Sequence, residues 1–300
     1  MKKWALRVDV AKCINCHNCV LATKDEHVGN DFPGYAVAQP PHGHEWISIE
    51  RHTRGTGTAI DVTYVPRMCN HCDDAPCIKA AGDGAVYKRS DGIVIVDPVK
   101  AHGRRELVDS CPYGAMTWNE EAEVPQIWIF DAHLLDQGWA APRCVQVCPT
   151  GALEVIHDSD DALREIAARD DLQPLHPELN TRPRVLYRNL QRIRSVFLSG
   201  NVVSRLQNRG NVNVENATVS LVTGGGAVLQ STTNAFGDFK FDGLARGSGD
   251  YRLHVAHDDY GRAERCGALF DSVHLGSIEL RLPVRSVQTV GAGDIATPNV

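Results

Sequence analysis

Cys13-Ile14-Asn15-Cys16-His17-Asn18-Cys19 follows a short apolar lead-in, and its reading decides the fold. Three thiols at spacings of three in one tight polar turn can close around three corners of an iron–sulfur cube. A short loop presents each thiolate to its own iron while backbone N–H groups point at the sulfides. A zinc site needs a C-x2-C pair answered by a second pair, so a third cysteine in the same loop is surplus to it. The loop lacks a fourth ligand, which must come from elsewhere in the chain.

Working outward, a second loop of the same kind appears at Cys69-Asn70-His71-Cys72-Asp73-Asp74-Ala75-Pro76-Cys77. Two pentapeptides echo each other, Cys111-Pro112-Tyr113-Gly114-Ala115 and Cys148-Pro149-Thr150-Gly151-Ala152. They supply the missing fourth cysteines. In two-cluster ferredoxins the cysteine before proline serves the other cluster, so ligand sets cross between motifs. The echo marks a duplicated, ferredoxin-like unit.

The chain has 300 residues, enough for two domains each with its own core, and 43% hydrophobic and 23% charged residues read as globular. A net charge of −6 argues against nucleic acid. No apolar run is long enough to cross a bilayer, and Met1-Lys2-Lys3-Trp4 is charged too early for a secretory segment. The expected compartment is the cytoplasm, where ten cysteines point to metal rather than disulfides.

Around the cysteines, residues 4–10 alternate as a strand, and Thr23 to His27 suits a helical turn. Trp46–Glu50 and Thr63–Val65 read as strands around Arg54-Gly55-Thr56-Gly57; Ala85–Tyr87 and Ile93–Val96 read as a hairpin turning at Ser90-Asp91-Gly92. Ser159 to Ala168 is an amphipathic helix capped by Ser159 or Asp160. Pro174, Pro177 and Pro183 then punctuate a linker rich in arginine. From Val196 onward the pattern is all-β, with strands at Ala217–Val222, Val228–Ser231, Phe239–Phe241, Tyr251–Val255 and Ser277–Leu282.

Residues 4–155, on these four cysteine motifs, resemble the iron–sulfur subunit of the dimethyl-sulfoxide-reductase family of molybdenum enzymes. The resemblance implies crossed ligand sets. Cys13, Cys16 and Cys19 join Cys148 in a first 4Fe–4S cluster, and Cys69, Cys72 and Cys77 join Cys111 in a second. The family's third set would fall on Trp128, Asp131, Cys144 and Thr23. Its fourth would fall on Ala101, Arg104, Leu107 and Ala81, with no thiolate at all. Losses that remove whole clusters leave two. Cys144 and Cys266 are left over and read as small buried hydrophobes.

Over nearly the whole chain the resemblance extends to the small subunits of the pyrogallol–phloroglucinol transhydroxylases and resorcinol hydroxylases. It is carried by Asp9-Val10-Ala11-Lys12-Cys13, Trp118-Asn119-Glu120-Glu121, Ala132-His133-Leu134-Leu135 and Asn234-Ala235-Phe236-Gly237-Asp238. The implied fold is α+β. A duplicated ferredoxin-like 4Fe–4S domain covers 1–155, and helix and linker cover 156–195. A small sandwich or barrel of prealbumin-like, carboxypeptidase-regulatory-like type covers 196–283, and a tail covers 284–300. The implied partner is a large catalytic subunit carrying molybdenum bis-molybdopterin guanine dinucleotide. This chain would then transfer electrons for hydroxylation or transhydroxylation of a phenolic ring, without inserting into a membrane. The alternatives are a structural subunit whose clusters act as folding staples, or an electron-transfer subunit of another oxidoreductase of the same family.

Other residues are read more plainly. His42 and His44 lack a third ligand and suit a surface loop better than a metal pair. His17 and His71 either tune the clusters through N–H···S bonds or pack the loops. Gly224-Gly225-Gly226 is a turn with no helix after it, hence no phosphate cradle. The arginines at 182, 184, 188, 192 and 194 suit an interface or a solvated linker. No catalytic residue is assigned.

Overall fold

The computed structural model describes residues 1–206 and 210–281, which fall into two compact units. One comprises residues 1–54 and 61–194, the other 55–60 and 195 onward. The expected tail over 284–300, and the last residue of the strand expected over Ser277–Leu282, lie outside the described residues.

In the first unit, strand β1 (Lys3–Asp9) buries Leu6 and Val8 completely and leads straight into the first cysteine loop. Helix α1 (Asn18–His27) leaves that loop, longer at its start than the single turn expected. A hairpin follows, β2 (Ile47–Thr56) and β3 (Ala59–Met68), and β3 delivers the second cysteine loop. Helix α2 (Pro76–Ala81) starts on proline, whose missing N–H costs nothing in a first turn, and ends at Gly82.

The hairpin expected around Ser90-Asp91-Gly92 is present as β4 (Val86–Lys88) antiparallel to β5 (Val94–Val96). Gly92 has φ +90°, and a Cβ there would lie 2.8 Å from Nε of Arg184, which crosses the turn. Only glycine satisfies both demands. A 3-10 turn (Arg105–Ser110) precedes Cys111, and β6 (Thr117–Asn119) pairs with β7 (Val124–Gln126). Short helices α3 (Ala132–Asp136) and α4 (Arg143–Gln146) then lead to Cys148.

Strand β8 (Leu153–Asp158) returns antiparallel to β1, with Val8 opposite Leu153. Helix α5 (Asp160–Arg169) carries the expected cap, Ser159 Oγ accepting from the Ala162 N–H at 3.2 Å. The proline-punctuated stretch after it is more than a linker. Strand β9 (Val185–Arg188) runs parallel to β1 on its other edge, so the sheet order is β8-β1-β9. A last turn, α6 (Gln191–Arg194), closes the unit.

The second unit is two four-stranded sheets around one apolar core. Strand β10 (Val196–Leu206) is the long one, and β11 (Gly210–Asn213) returns antiparallel along its end. In the other sheet, β12 (Thr218–Thr223) pairs with β13 (Val228–Thr232). Strand β14 (Asp238–Leu244) pairs antiparallel with β10. Strand β15 (Gly249–His257) sits between β12 and β16 (Gly261–Leu269), and β17 (Val273–Leu280) lies parallel to β10. Alternation sends Val219 and Leu221, Phe239 and Phe241, and Tyr251, Leu253 and Val255 inward, the period-two signature of sheets with one wet face. Cys266 corrects an expectation: it is exposed on β16, opposite Arg252, and is no part of the core.

Candidate metal centres

The strand pairing that builds the first unit also gathers its cysteines. Strand β1 ends four residues before Cys13, and β8 begins five residues after Cys148. Pairing the two strands therefore brings together thiols that are far apart in sequence. The Asp9 N–H donates to the Ala152 carbonyl at 2.8 Å, and Asn18 Nδ2 reaches the Val147 carbonyl at 3.4 Å. Asp9 Oδ1 fixes the loop entrance, accepting from the Ala11 N–H at 3.0 Å and from Asn189 Nδ2 at 2.6 Å. Asn15 and His17 hold φ of 59° and 61°, left-handed values that turn the backbone tightly between the thiols. The sulfurs of Cys148 and Cys16 each push up both Cys13 and Cys19, so these four form one group.

Cys69, Cys72, Cys77 and Cys111 form the other group, the sulfur of Cys111 pushing up each of the first three. The arginine-rich stretch around β9 straps this loop down instead of lying solvated. The Asp73 N–H donates to the Arg182 carbonyl, the Asp74 N–H to the Thr181 carbonyl, and the Arg184 N–H to the Asn70 carbonyl. Arg184, 2% exposed, holds Asp73 at 2.7 and 3.0 Å and Asp160 at 2.6 Å. Tyr113, two residues after Cys111, shares a 2.7 Å hydrogen bond with Thr181. His71 accepts the Val94 N–H on Nδ1 at 3.0 Å, so its proton is on Nε2. Nδ1, 3.9 Å from the sulfur of Cys69, therefore has no proton to offer it. Burial, with Lys88 and Arg184 nearby, holds this imidazole neutral.

The donor set fits a polynuclear group. All ten cysteines are free. Burial first, then neighbouring thiols, pushes Cys19 up to about 12 and Cys77 to about 11. Such crowded sulfurs ionise together only where metal charge stands among them. Among the described residues no three His, Cys, Asp or Glu side chains stand close enough to share a single ion. Thiolates on separate irons of a cube lie farther apart than ligands of one zinc.

The positions expected for the third and fourth ligand sets are largely packed side chains. Trp128 and Asp131 are fully buried, Cys144 is fully buried, and Thr23 Oγ1 donates to the Cys19 carbonyl at 2.9 Å. Trp128 stacks on Phe130 with ring centroids 4.7 Å apart. Cys144 fits its reading as a buried small side chain, and burial and Asp131 push its thiol well up. At the other set, Ala81, Ala101 and Leu107 are buried together. Arg104 closes over them, donating to the Ala81 carbonyl at 3.3 Å and pairing with Asp83 and Glu106. His42 and His44 lie beside Lys24 and Thr117 in an open surface depression.

The 4Fe-4S dicluster domain family matches residues 60–158. The pyrogallol hydroxytransferase small subunit of Pelobacter acidigallici is 41% identical over 283 residues, covering 93% of this chain and all of that protein. A tetrathionate reductase subunit of Salmonella typhimurium is 32% identical over 63% of this chain and 73% of its own length. The arsenate respiratory reductase iron–sulfur subunit of a Shewanella species is 29% identical over 60% of this chain and 93% of its own length.

Proposed function

The chain belongs to the iron–sulfur subunits of the dimethyl-sulfoxide-reductase family of molybdenum enzymes, and from that premise we propose its particular role. It is the electron-transfer subunit of a cytoplasmic complex that hydroxylates or transhydroxylates a phenolic ring. It carries two 4Fe–4S clusters in a duplicated ferredoxin-like domain, one on Cys13, Cys16, Cys19 and Cys148, the other on Cys69, Cys72, Cys77 and Cys111. A large partner subunit holds the molybdenum bis-molybdopterin guanine dinucleotide and the ring. The reading is supported above all by the gathering of each cysteine triplet around one distant Cys-Pro cysteine. The buried side chains at the other two ligand sets support a count of two. The phenolic substrate rests on the relative that matches end to end.

The clusters, when bound, supply one-electron storage. The chain's own residues supply the rest. Backbone turns at Asn15, His17 and His71 aim the sulfurs. The straps from Thr181, Arg182 and Arg184 hold the second loop closed, and buried Cys69 and Cys72 keep water from that site. No helix among the described residues is long and apolar enough to cross a membrane. The test is anaerobic co-expression with the large subunit, followed by metal and sulfide analysis and assay on polyhydroxybenzenes. About eight irons per copy of this chain are expected from two cubanes, with ring hydroxylation dependent on it. About twelve irons, or no turnover of any phenol, would overturn the corresponding half of the reading.

A further inference from the structure

We propose that Lys88 tunes the cluster on Cys69, Cys72, Cys77 and Cys111, raising its reduction potential through a positive charge fixed against the ligand loop. This rests on the ligand sets proposed above. Lys88 ends β4, and its ammonium donates to the carbonyls of His71 at 2.8 Å, Cys72 at 3.0 Å and Gly92 at 2.9 Å. Two of these carbonyls belong to the ligand loop, so the charge moves only if the loop moves. Its Nζ also stands 3.0 Å from Asp73 Oδ1. The Cys72 sulfur is influenced by it, and Lys88 in turn by the sulfur of Cys69.

The surrounding charges do not cancel it. Asp73 is shared with Arg184, Arg184 with Asp160, and Asp160 with Lys3, while Asp74 is engaged by Arg182. Lys88 has only its part of Asp73. The first site differs. The largest influences on Cys13 and Cys19 are burial, backbone amides and the other thiols. The buried Asp131 and the sulfurs of Cys19 and Cys148 all push the Cys144 thiol up. Reduction adds one negative charge to a cluster, so a fixed cation in a poorly screened place favours the reduced form. A carboxylate disfavours it, so Lys88 and Asp73 act on the second cluster in opposite directions.

The test is a potentiometric titration of the anaerobic complex read by electron paramagnetic resonance. The two signals are assigned with Cys111→Ser and Cys148→Ser. Lys88→Met and Lys88→Gln should leave the second cluster about tenfold less reduced at the wild-type midpoint, about 59 mV for one electron. Lys88→Arg should keep the wild-type value, and Asp73→Asn should shift the same signal upward. The first signal should stay in place throughout. Intact clusters with an unmoved second midpoint in both Lys88→Met and Asp73→Asn would overturn the proposal, as would equal shifts of both signals. If Lys88→Met does not assemble, Asp73→Asn decides, an upward shift supporting the proposal and no shift overturning it. An iron count away from about eight in the wild type, or loss of the first signal in Cys111→Ser, would instead overturn the ligand sets, and the proposal with them.

Discussion

Asp131 Oδ1 lies 3.2 Å from Nε2 of His27, and neither side chain is exposed to solvent. The other carboxylate oxygen accepts the Arg143 N–H at 2.8 Å. The resemblance assigns Asp131 to the family's third ligand set, and on that reading a hydrogen-bonded polar pair takes the place of a thiolate. Removing one member leaves the other buried without its hydrogen-bond partner, which typically costs about 1–3 kcal/mol. Asp131→Ala should therefore lower the thermal midpoint of the complex strongly. Asp131→Asn should lower it less, because Asn can still bond both neighbours and tolerates the left-handed φ of 49° found here. An Asp131→Ala complex as stable as wild type would show that the pair contributes nothing.

A more demanding test of the same region is to reverse it. Cys144 is already present and fully buried beside Asp131. Combining Thr23→Cys, Trp128→Cys and Asp131→Cys completes a four-thiol set in the volume now filled by the indole and the carboxylate. On reconstitution with iron and sulfide the triple variant should gain about four irons per chain. Without that gain it should be destabilised by about 3–5 kcal/mol, as large-to-small changes in a core are. If the iron content stays at the wild-type level, these positions do not surround a cluster-sized space.

The cysteine spacing, the hairpin at Asp91-Gly92 and the helix capped by Ser159 are legible in the sequence because each is a local pattern whose physics acts within a few residues. Strand β9 is not. Val185–Arg188 follows Pro183 and sits among arginines, and only non-local pairing with β1 makes it a strand. The role of Arg184 is hidden for the same reason: its partners, Asp73 and Asp160, are supplied by two other segments. Lys88 carries no signal beyond a basic residue in a short strand. Cys266 misleads because cysteine is usually buried, whereas β16 alternates too weakly for the sequence to tell its faces apart.

The Arg184 strap also predicts a pH dependence. Hydrogen bonds from Arg184, then from Lys3, hold the Asp160 carboxyl down to about 2, from an ordinary value of 3.8. A depressed folded-state value stabilises the fold above the unfolded value and is lost as pH falls through the folded one. The contribution is therefore complete above about pH 5 and gone below about pH 1. Asp160 is 43% exposed, and screening reduces its worth to on the order of 1 kcal/mol. The stability gap between wild type and Asp160→Asn, from thermal melts, should narrow from pH 6 to pH 3. A gap that widened would mean that Asp160 is not held by these cations.

The crossing of ligands between distant motifs is tested by single exchanges. Cys148 is 135 residues from Cys13, and its place beside that loop depends on β8 pairing with β1. Cys111 belongs with Cys69, Cys72 and Cys77, held near them through Tyr113 and Thr181. Cys148→Ala should damage the cluster on Cys13, Cys16 and Cys19 and leave the other spectrum intact, and Cys111→Ala should do the reverse. Cys144→Ala should remove no iron, because its neighbours are Asp131 and sulfurs already assigned to the first group. A cubane that loses one thiolate either drops an iron or falls apart, so the readout is a change of spin system, not a small shift. If Cys144→Ala abolished a cluster while Cys148→Ala left both, the first set would have to be redrawn around Cys144, and the polar pair at His27 and Asp131 would need another explanation.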